Sequence, residues 1–249
     1  MQMFRISRSA PVRRPAARLA GVATAGALAA TLALAAPAEA ADPAVEAEAM
    51  ADTNFTVDAG CDLVTGDNDD DVLTSVQTSG TKKLSASGTG TATATDSGDP
   101  TDTVTMKATN TVTGSVTASG GAFKKAAFAM NQGGTITMSQ GFSTSCSPAA
   151  EIAAAFGMAF TVKKAGRLSI RLDLPRDTLV EVQLTQDGSP AMMALAYNAR
   201  GGYATSRAVV PGSYTLLVQS TVVVGVDGGP QILLNHSGKV GVTVGYSKS

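Results

Sequence analysis

The sequence predicts an all-β chain in two β-rich parts, a Thr-rich antiparallel sheet followed by a β-sandwich, joined by one short helix. Three observations carry that prediction. Residues 84–118 alternate strictly between Thr or Ser and small or apolar residues. Residues 159–246 form a series of short alternating runs separated by Gly/Pro turns. Between them lies an Ala-rich stretch that opens on Ser147-Pro148 and closes on Gly157. Period two places successive side chains on opposite faces of a strand, and β-branched Thr suits that surface.

The first 40 residues read as a secretion signal. Arg5, Arg8, Arg13, Arg14 and Arg18 form a basic head, residues 19–36 are uncharged and rich in Ala and Leu, and Ala38-Glu39-Ala40 is an A-x-A cleavage site. The mature chain then starts at Ala41. An uncleaved anchor is the rival, but a run of mostly Ala is a weak membrane span. Pro15-Ala16-Ala17 follows the Arg13-Arg14 pair where a twin-arginine signal wants large apolar residues, so the general secretory route is favoured. The heavy use of Ala and Arg suggests a bacterial source. The expected location is the medium or the cell envelope, outside the cytoplasmic membrane.

Residues 41–51, Ala/Glu-rich with one Pro, read as a flexible tail. The first domain spans 52–146 and its first short strand falls within 52–61, through Phe55 and Val57. Cys61 and Cys146 are the only cysteines, and in an exported chain two thiols pair. Two Cys and one His cannot build a Cys/His zinc site.

Asp67, Asp69 and Asp71 have the alternate spacing of oxygen-rich Ca²⁺ loops. An EF-type loop needs Gly and Glu where Val72 and Thr78 stand. The run therefore reads as a solvated acidic turn before a strand at 72–76, with Ca²⁺ as the alternative; no other cofactor is expected. Ser79-Gly80-Thr81-Lys82 spells S-x-x-K, but Gly80 and Thr81 fit poorly in the helix that motif needs.

The alternation of 84–118 reads as a long hairpin about the turn Ser97-Gly98-Asp99-Pro100. Thr89, Thr91, Thr93, Thr95, Thr103, Thr105, Thr109, Thr111 and Thr113 fall on its wet face. Ice or ordered water could use such an array only with many equally spaced strands, and two are visible here. A long uncharged hairpin is also a template for edge pairing, hence for self-association. Strands at 122–130 and 135–139 follow, joined by a turn at Asn131-Gln132-Gly133-Gly134. Residues 147–158 read as the linking helix, with Ser147 capping, Pro148 in the first turn and Gly157 ending it.

The second domain, 159–249, holds about eight strands: near 160–162, 168–174, 179–184, 193–197, 203–210, 214–219, 232–234 and 240–246. Within it, Phe160-x-Val162-x-x-x-Gly166-x-Leu168-x-Ile170-x-Leu172 and Val210-Pro211-Gly212-Ser213-Tyr214-x-Leu216-x-Val218 resemble the pre-peptidase C-terminal type of bacterial β-sandwich, a jelly-roll-like accessory domain of secreted proteins. The resemblance covers residues 159–246 and implies an accessory or adhesive role without catalysis.

Charge excludes one partner class. Residues 41–148 carry 13 acids and 5 bases, residues 149–249 carry 6 acids and 9 bases. An acidic front half is the wrong surface for nucleic acid. His236, the only histidine, lies in Asn235-His236-Ser237-Gly238 and reads as an exposed turn residue, and there is no G-x-S-x-G. The expectation is a non-catalytic binding, adhesive or structural protein whose partner is a cell-surface polymer or a protein. Two alternatives remain: a carrier of an apolar ligand walled by Phe123, Phe128 and Met130, and an acid-only hydrolase.

Overall fold

The computed structural model describes residues 44–58, 60–68, 72–139, 146–176, 178–189, 191–197, 200–225 and 235–248. Thirteen strands run through them: β1 (Val45–Thr56), β2 (Cys61–Asn68), β3 (Val72–Thr78), β4 (Thr81–Asp96), β5 (Thr103–Ala118), β6 (Phe123–Met138), β7 (Ala149–Val162), β8 (Gly166–Leu174), β9 (Leu179–Gln186), β10 (Ala191–Tyr197), β11 (Gly201–Val209), β12 (Gly212–Gly225) and β13 (Asn235–Lys248). They form two antiparallel sheets. One has six strands in the order β10-β9-β12-β7-β1-β3; the other has seven, β11-β8-β13-β6-β5-β4-β2. The expected all-β class is what the chain adopts.

The Thr-rich hairpin forms as β4 and β5. Thr89 faces Thr109, Thr93 faces Thr105 and Thr95 faces Thr103. Its dry parity, Ala86, Ala92, Ala94, Val104, Met106, Ala108 and Val112, is buried. The hairpin is not a free edge over its whole length. β2 pairs with β4 from Gly90 to Asp96, leaving 81–89 uncovered by it, and there the Thr74 hydroxyl donates to Ser85 O at 2.9 Å.

Four readings need correction. Residues 45–51 are not a tail: β1 pairs with β7 on one side and β3 on the other, and Val45, Ala47, Ala49 and Ala51 are wholly buried. Residues 149–158 are not a helix but most of β7. Ala has high helix propensity, but propensity yields to tertiary context. Ile152, Phe156, Met158 and Phe160 alternate with Ala and Gly, and β7 lies between β1 and β12. Ser147 caps nothing helical; its N–H donates to Asp58 at 3.0 Å. Residues 131–134 are not a turn, because β6 runs straight through them. Their glycines serve packing: a Cβ at Gly134 would lie 2.8 Å from Val224 and 2.9 Å from Ile152 of the facing sheet. Finally, the expected Thr-rich sheet (52–146) and β-sandwich (159–249) do not fold as two separate parts. The six-stranded sheet takes β1 and β3 from the front half, and the seven-stranded sheet takes β8, β11 and β13 from the back. The expected strand at 232–234 lies outside the described residues, as do residues 1–43.

The interior is divided. A large apolar cluster includes Phe123, Phe128, Phe156, Phe160, Tyr214 and Leu168; a smaller one holds Phe55, Val104, Met106, Ile136, Ile152 and both cysteines. Buried polar side chains accompany them, Thr53, Asn110, Gln132, Ser220 and His236. Asn110 and Gln132 are cross-strand partners on β5 and β6. Asn110 Nδ2 donates to Ala153 O at 2.6 Å and Asp52 O at 3.1 Å. Gln132 Nε2 donates to Ile152 O at 2.8 Å and Ser220 O at 3.1 Å, while Ser220 Oγ donates to Gln132 Oε1 at 2.6 Å. These bonds cross between sheets, so they fix which residues of one sheet lie over which of the other.

The Pro211-Gly212-Ser213-Tyr214 segment closes a corner. Tyr214 is buried, its hydroxyl donates to Val210 O at 2.8 Å and accepts from Val210 N–H at 3.0 Å. This is the bonding pattern of a tyrosine corner, in which a buried Tyr ties its strand to the backbone just upstream.

Candidate functional site

Strand parity sends the wet residues of β4, β5 and β6 to the outer face of the seven-stranded sheet. Their registers are unbroken through this region, so the hydroxyls line up across strands. Thr65, Thr93, Thr105 and Thr137 make one row over four strands; Thr91, Lys107 and Thr135 make the next; Thr89 and Thr109, then Ser87, Thr111 and Asn131, continue it. The array therefore reaches β2 and β6, beyond the two strands visible in the sequence. Neighbouring hydroxyls bond one another or the backbone. Thr81 and Thr117 are 3.1 Å apart, and Asn131 Nδ2 donates to Thr111 Oγ1 at 3.2 Å.

Beside the hydroxyl rows the same face dips into a shallow trough of about 510 Å³. Its floor is Ala127, Ala129 and Gly241, whose small side chains leave the depression; Thr113, Ser115 and Thr243 edge it, and Lys83, Lys239 and Asp173 supply charge. Lys107, Lys125, Arg167 and Arg171 are exposed on the same parity, giving this face a basic balance.

The outer face of the six-stranded sheet is of opposite character. Its six strands contain Glu46, Glu48, Asp52, Glu151 and Glu181 and no Lys or Arg, and register puts all five acids outward. Burial, with the charge of Glu46 beside it, pushes the Glu48 carboxyl above its ordinary range. Glu46 accepts from Gln77 Nε2 at 3.0 Å. A second trough, about 360 Å³, runs here between β10, β9 and β12, past Glu181, Gln183, Ala196 and Leu217.

The cysteines are joined: Cys61 and Cys146 form a disulfide with Cα atoms 4.9 Å apart. Asp58 holds both flanks, accepting from the N–H groups of Gly60 and Ser147. Asp58 and the two sulfurs lie close together, but both sulfurs are spent in the bond. Of the Ca²⁺ candidates, Asp67 lies in β2, paired with Thr91, while Asp69 and Asp71 lie outside the described residues. His236 is not an exposed turn residue. It is buried on β13, opposite Gly134, and a Cβ at Gly238 would meet its ring and Pro175. The residues offered as walls of an apolar cavity are packed against core rings instead: Phe123 on Phe160 at 4.7 Å and Phe128 stacked on Phe156 at 3.3 Å between centroids. No helix among the described residues is long and apolar enough to cross a membrane.

No family model and no curated protein matches the chain. Among solved structures, the carbohydrate-binding module TmCBM61, determined with β-1,4-galactotriose, aligns at 7% identity over 41% of this chain and 71% of that one, with a TM-score of 0.27. The enzymatically active domain of bacteriophage CBA120 tailspike protein 4 aligns at 17% identity, with a TM-score of 0.24, over 43% of this chain. The match spans 16% of the tailspike chain. Neither likeness is close enough to carry an argument, and neither is a pre-peptidase C-terminal domain.

Proposed function

We propose that this is an exported bacterial protein of the envelope or medium that works without catalysis, by extended contact between the outer face of its seven-stranded sheet and a cell-surface polymer. The observation that carries the reading is the ordered hydroxyl field with its flanking lysines. A hydroxyl both donates and accepts, so rows of Thr suit a partner that repeats along its own length. Lys and Arg at the margin add charge-assisted bonds to any acidic groups the polymer bears. The secretion signal read at residues 1–40 and the disulfide support an oxidising destination. The buried place of His236 and the bonded state of both cysteines support a binding role over nucleophilic catalysis.

The test is retention of the mature protein on insoluble cell-wall polysaccharide. The triple variant Thr91→Val, Thr109→Val, Thr135→Val keeps strand-forming, β-branched side chains and removes three hydroxyls. Retention of the parent and at least a tenfold loss in the variant are expected. Equal retention of the two, or none by either, sinks the reading.

A further inference from the structure

Charge in this chain is sorted by sheet. The six strands of one sheet hold five acids and no base. The seven strands of the other hold ten bases and four acids. We infer that the acidic outer face of the six-stranded sheet docks on the basic, hydroxyl-bearing outer face of the seven-stranded sheet of a second copy of this chain. This docking uses the same face as the polymer contact proposed above and competes with it, so it goes beyond that reading and stands on separate observations.

Three features fit a second copy. The first is complementarity. Lys83, Lys107, Lys125, Lys239 and Arg171 are exposed on one face, opposite in sign to Glu46, Glu48, Asp52, Glu151 and Glu181 on the other. Matched potentials of this kind steer encounter and fix register between partners. The second is size. Six strands at ~4.8 Å spacing and about eight residues of length give a face on the order of 800 Å², the per-partner area of a standard interface. The third is relief. The acidic face carries a trough of about 360 Å³ with Glu181 at its side and Ala196 and Leu217 along it. A lysine stem can lie on such apolar surface with its ammonium at the carboxylate.

The two faces lie on opposite sides of one sandwich. A contact between them is heterologous, so each added copy leaves a free acidic face at one end and a free basic face at the other. The assembly is an open, linear stack and not a closed dimer.

Light scattering and electron microscopy of the mature protein test this. Large linear species are expected at ~20 mM salt and should disperse above ~0.5 M, where the screening length falls to a few ångströms. Glu46→Lys, Glu48→Lys, Glu181→Lys makes both faces basic; Lys107→Glu, Lys125→Glu, Lys239→Glu reverses the other face. Each variant alone should stay monomeric, and an equimolar mixture should regain assembly, which also shows both are folded. The single reversal Glu181→Lys, on an exposed side chain, is the milder check and should weaken assembly about tenfold. A parent that is monomeric at every salt concentration overturns the inference, as do variants that assemble like the parent or a mixture that does not assemble. Retention on polysaccharide reads the other proposal separately. The acidic-face variant keeps it if face contact with polymer is right, whatever becomes of the stack.

Discussion

The bond between Gln132 and Ser220 should behave as one unit across the core. Gln132 is 2% exposed and Ser220 1%. Gln132→Leu keeps the volume but removes the acceptor of the Ser220 hydroxyl and the donors to Ile152 O and Ser220 O. The carbonyls belong to paired strands; the stranded hydroxyl is the main cost, ~1–3 kcal/mol, with about 1 kcal/mol for each bond lost. With the hydroxyl counted once and the two Nε2 bonds at about 1 kcal/mol each, the expected net loss is ~3–5 kcal/mol, a large share of the ~5–15 kcal/mol that holds a domain together. Ser220→Ala leaves Gln132 Oε1 unpaired and should cost ~1–3 kcal/mol. The double variant removes both ends of the shortest bond, so its loss should fall short of the sum by about 1–2 kcal/mol. Urea unfolding measures all four proteins; midpoints should move while the slope stays constant. Losses that add within ~0.5 kcal/mol would show that the two side chains are not coupled and that the cross-sheet bond contributes nothing of its own.

Reduction of Cys61–Cys146, or Cys146→Ser, should lower stability by ~4–5 kcal/mol on loop-closure entropy, since 85 positions separate the two cysteines, and intact mass with and without reductant confirms the bond. Glu48→Gln should raise the melting temperature at neutral pH and leave it unchanged in strong acid. A carboxyl whose folded pKa is raised destabilises the fold once ionised, and the penalty sets in as pH climbs from the unfolded pKa through the raised one. A parent minus variant difference that grew toward low pH would contradict that sign. Millimolar Ca²⁺ should shift the melting temperature by less than ~2 °C, because the run at Asp67, Asp69 and Asp71 lacks the Gly and Glu of a loop that chelates alone; a larger shift abolished by Asp69→Asn would reverse this.

The parts of the fold legible in the sequence are those where period two is unambiguous. β4, β5, β8 and β9 alternate cleanly, and their predicted places hold. What misled is Ala and Gly, which carry little periodic signal. In β7, Ala153 and Ala155 point outward but are as apolar as the inward residues and sit low between longer neighbours such as Met50 and Gln219, at 3% and 0% exposed, so the polar alternation that marks a strand is missing and the run reads as a helix. In the first half of β1, residues 45–51, the inward residues are three alanines and a valine, too small to announce a core strand. In β6 the dipeptide Gly133-Gly134 looks like a turn, though the facing sheet leaves no room for a side chain at Gly134. The hydroxyl field was half visible: the Thr rows of one hairpin are plain in the sequence, but their continuation onto β2 and β6 depends on pairings between distant segments.

Charge makes the same point more sharply. Along the chain it divides by half, acidic before residue 148 and basic after. In space it divides by sheet. Glu151 and Glu181 come from the basic half and join the acidic face, while Lys83, Lys107 and Lys125 come from the acidic half and join the basic one. A strand exchange between layers is what converts one asymmetry into the other. The repeated T-x-T of β4 and β5 has little register information, since a slip by two residues again sets Thr against Thr. Such a slip would carry Asn110 ~7 Å from Ala153 O and Asp52 O, into apolar surroundings. An unpaired buried amide there costs several kcal/mol. Asn110 and Gln132 thus hold the register that aligns the hydroxyl rows, and the chemistry of the outer face depends on two amides that never reach it.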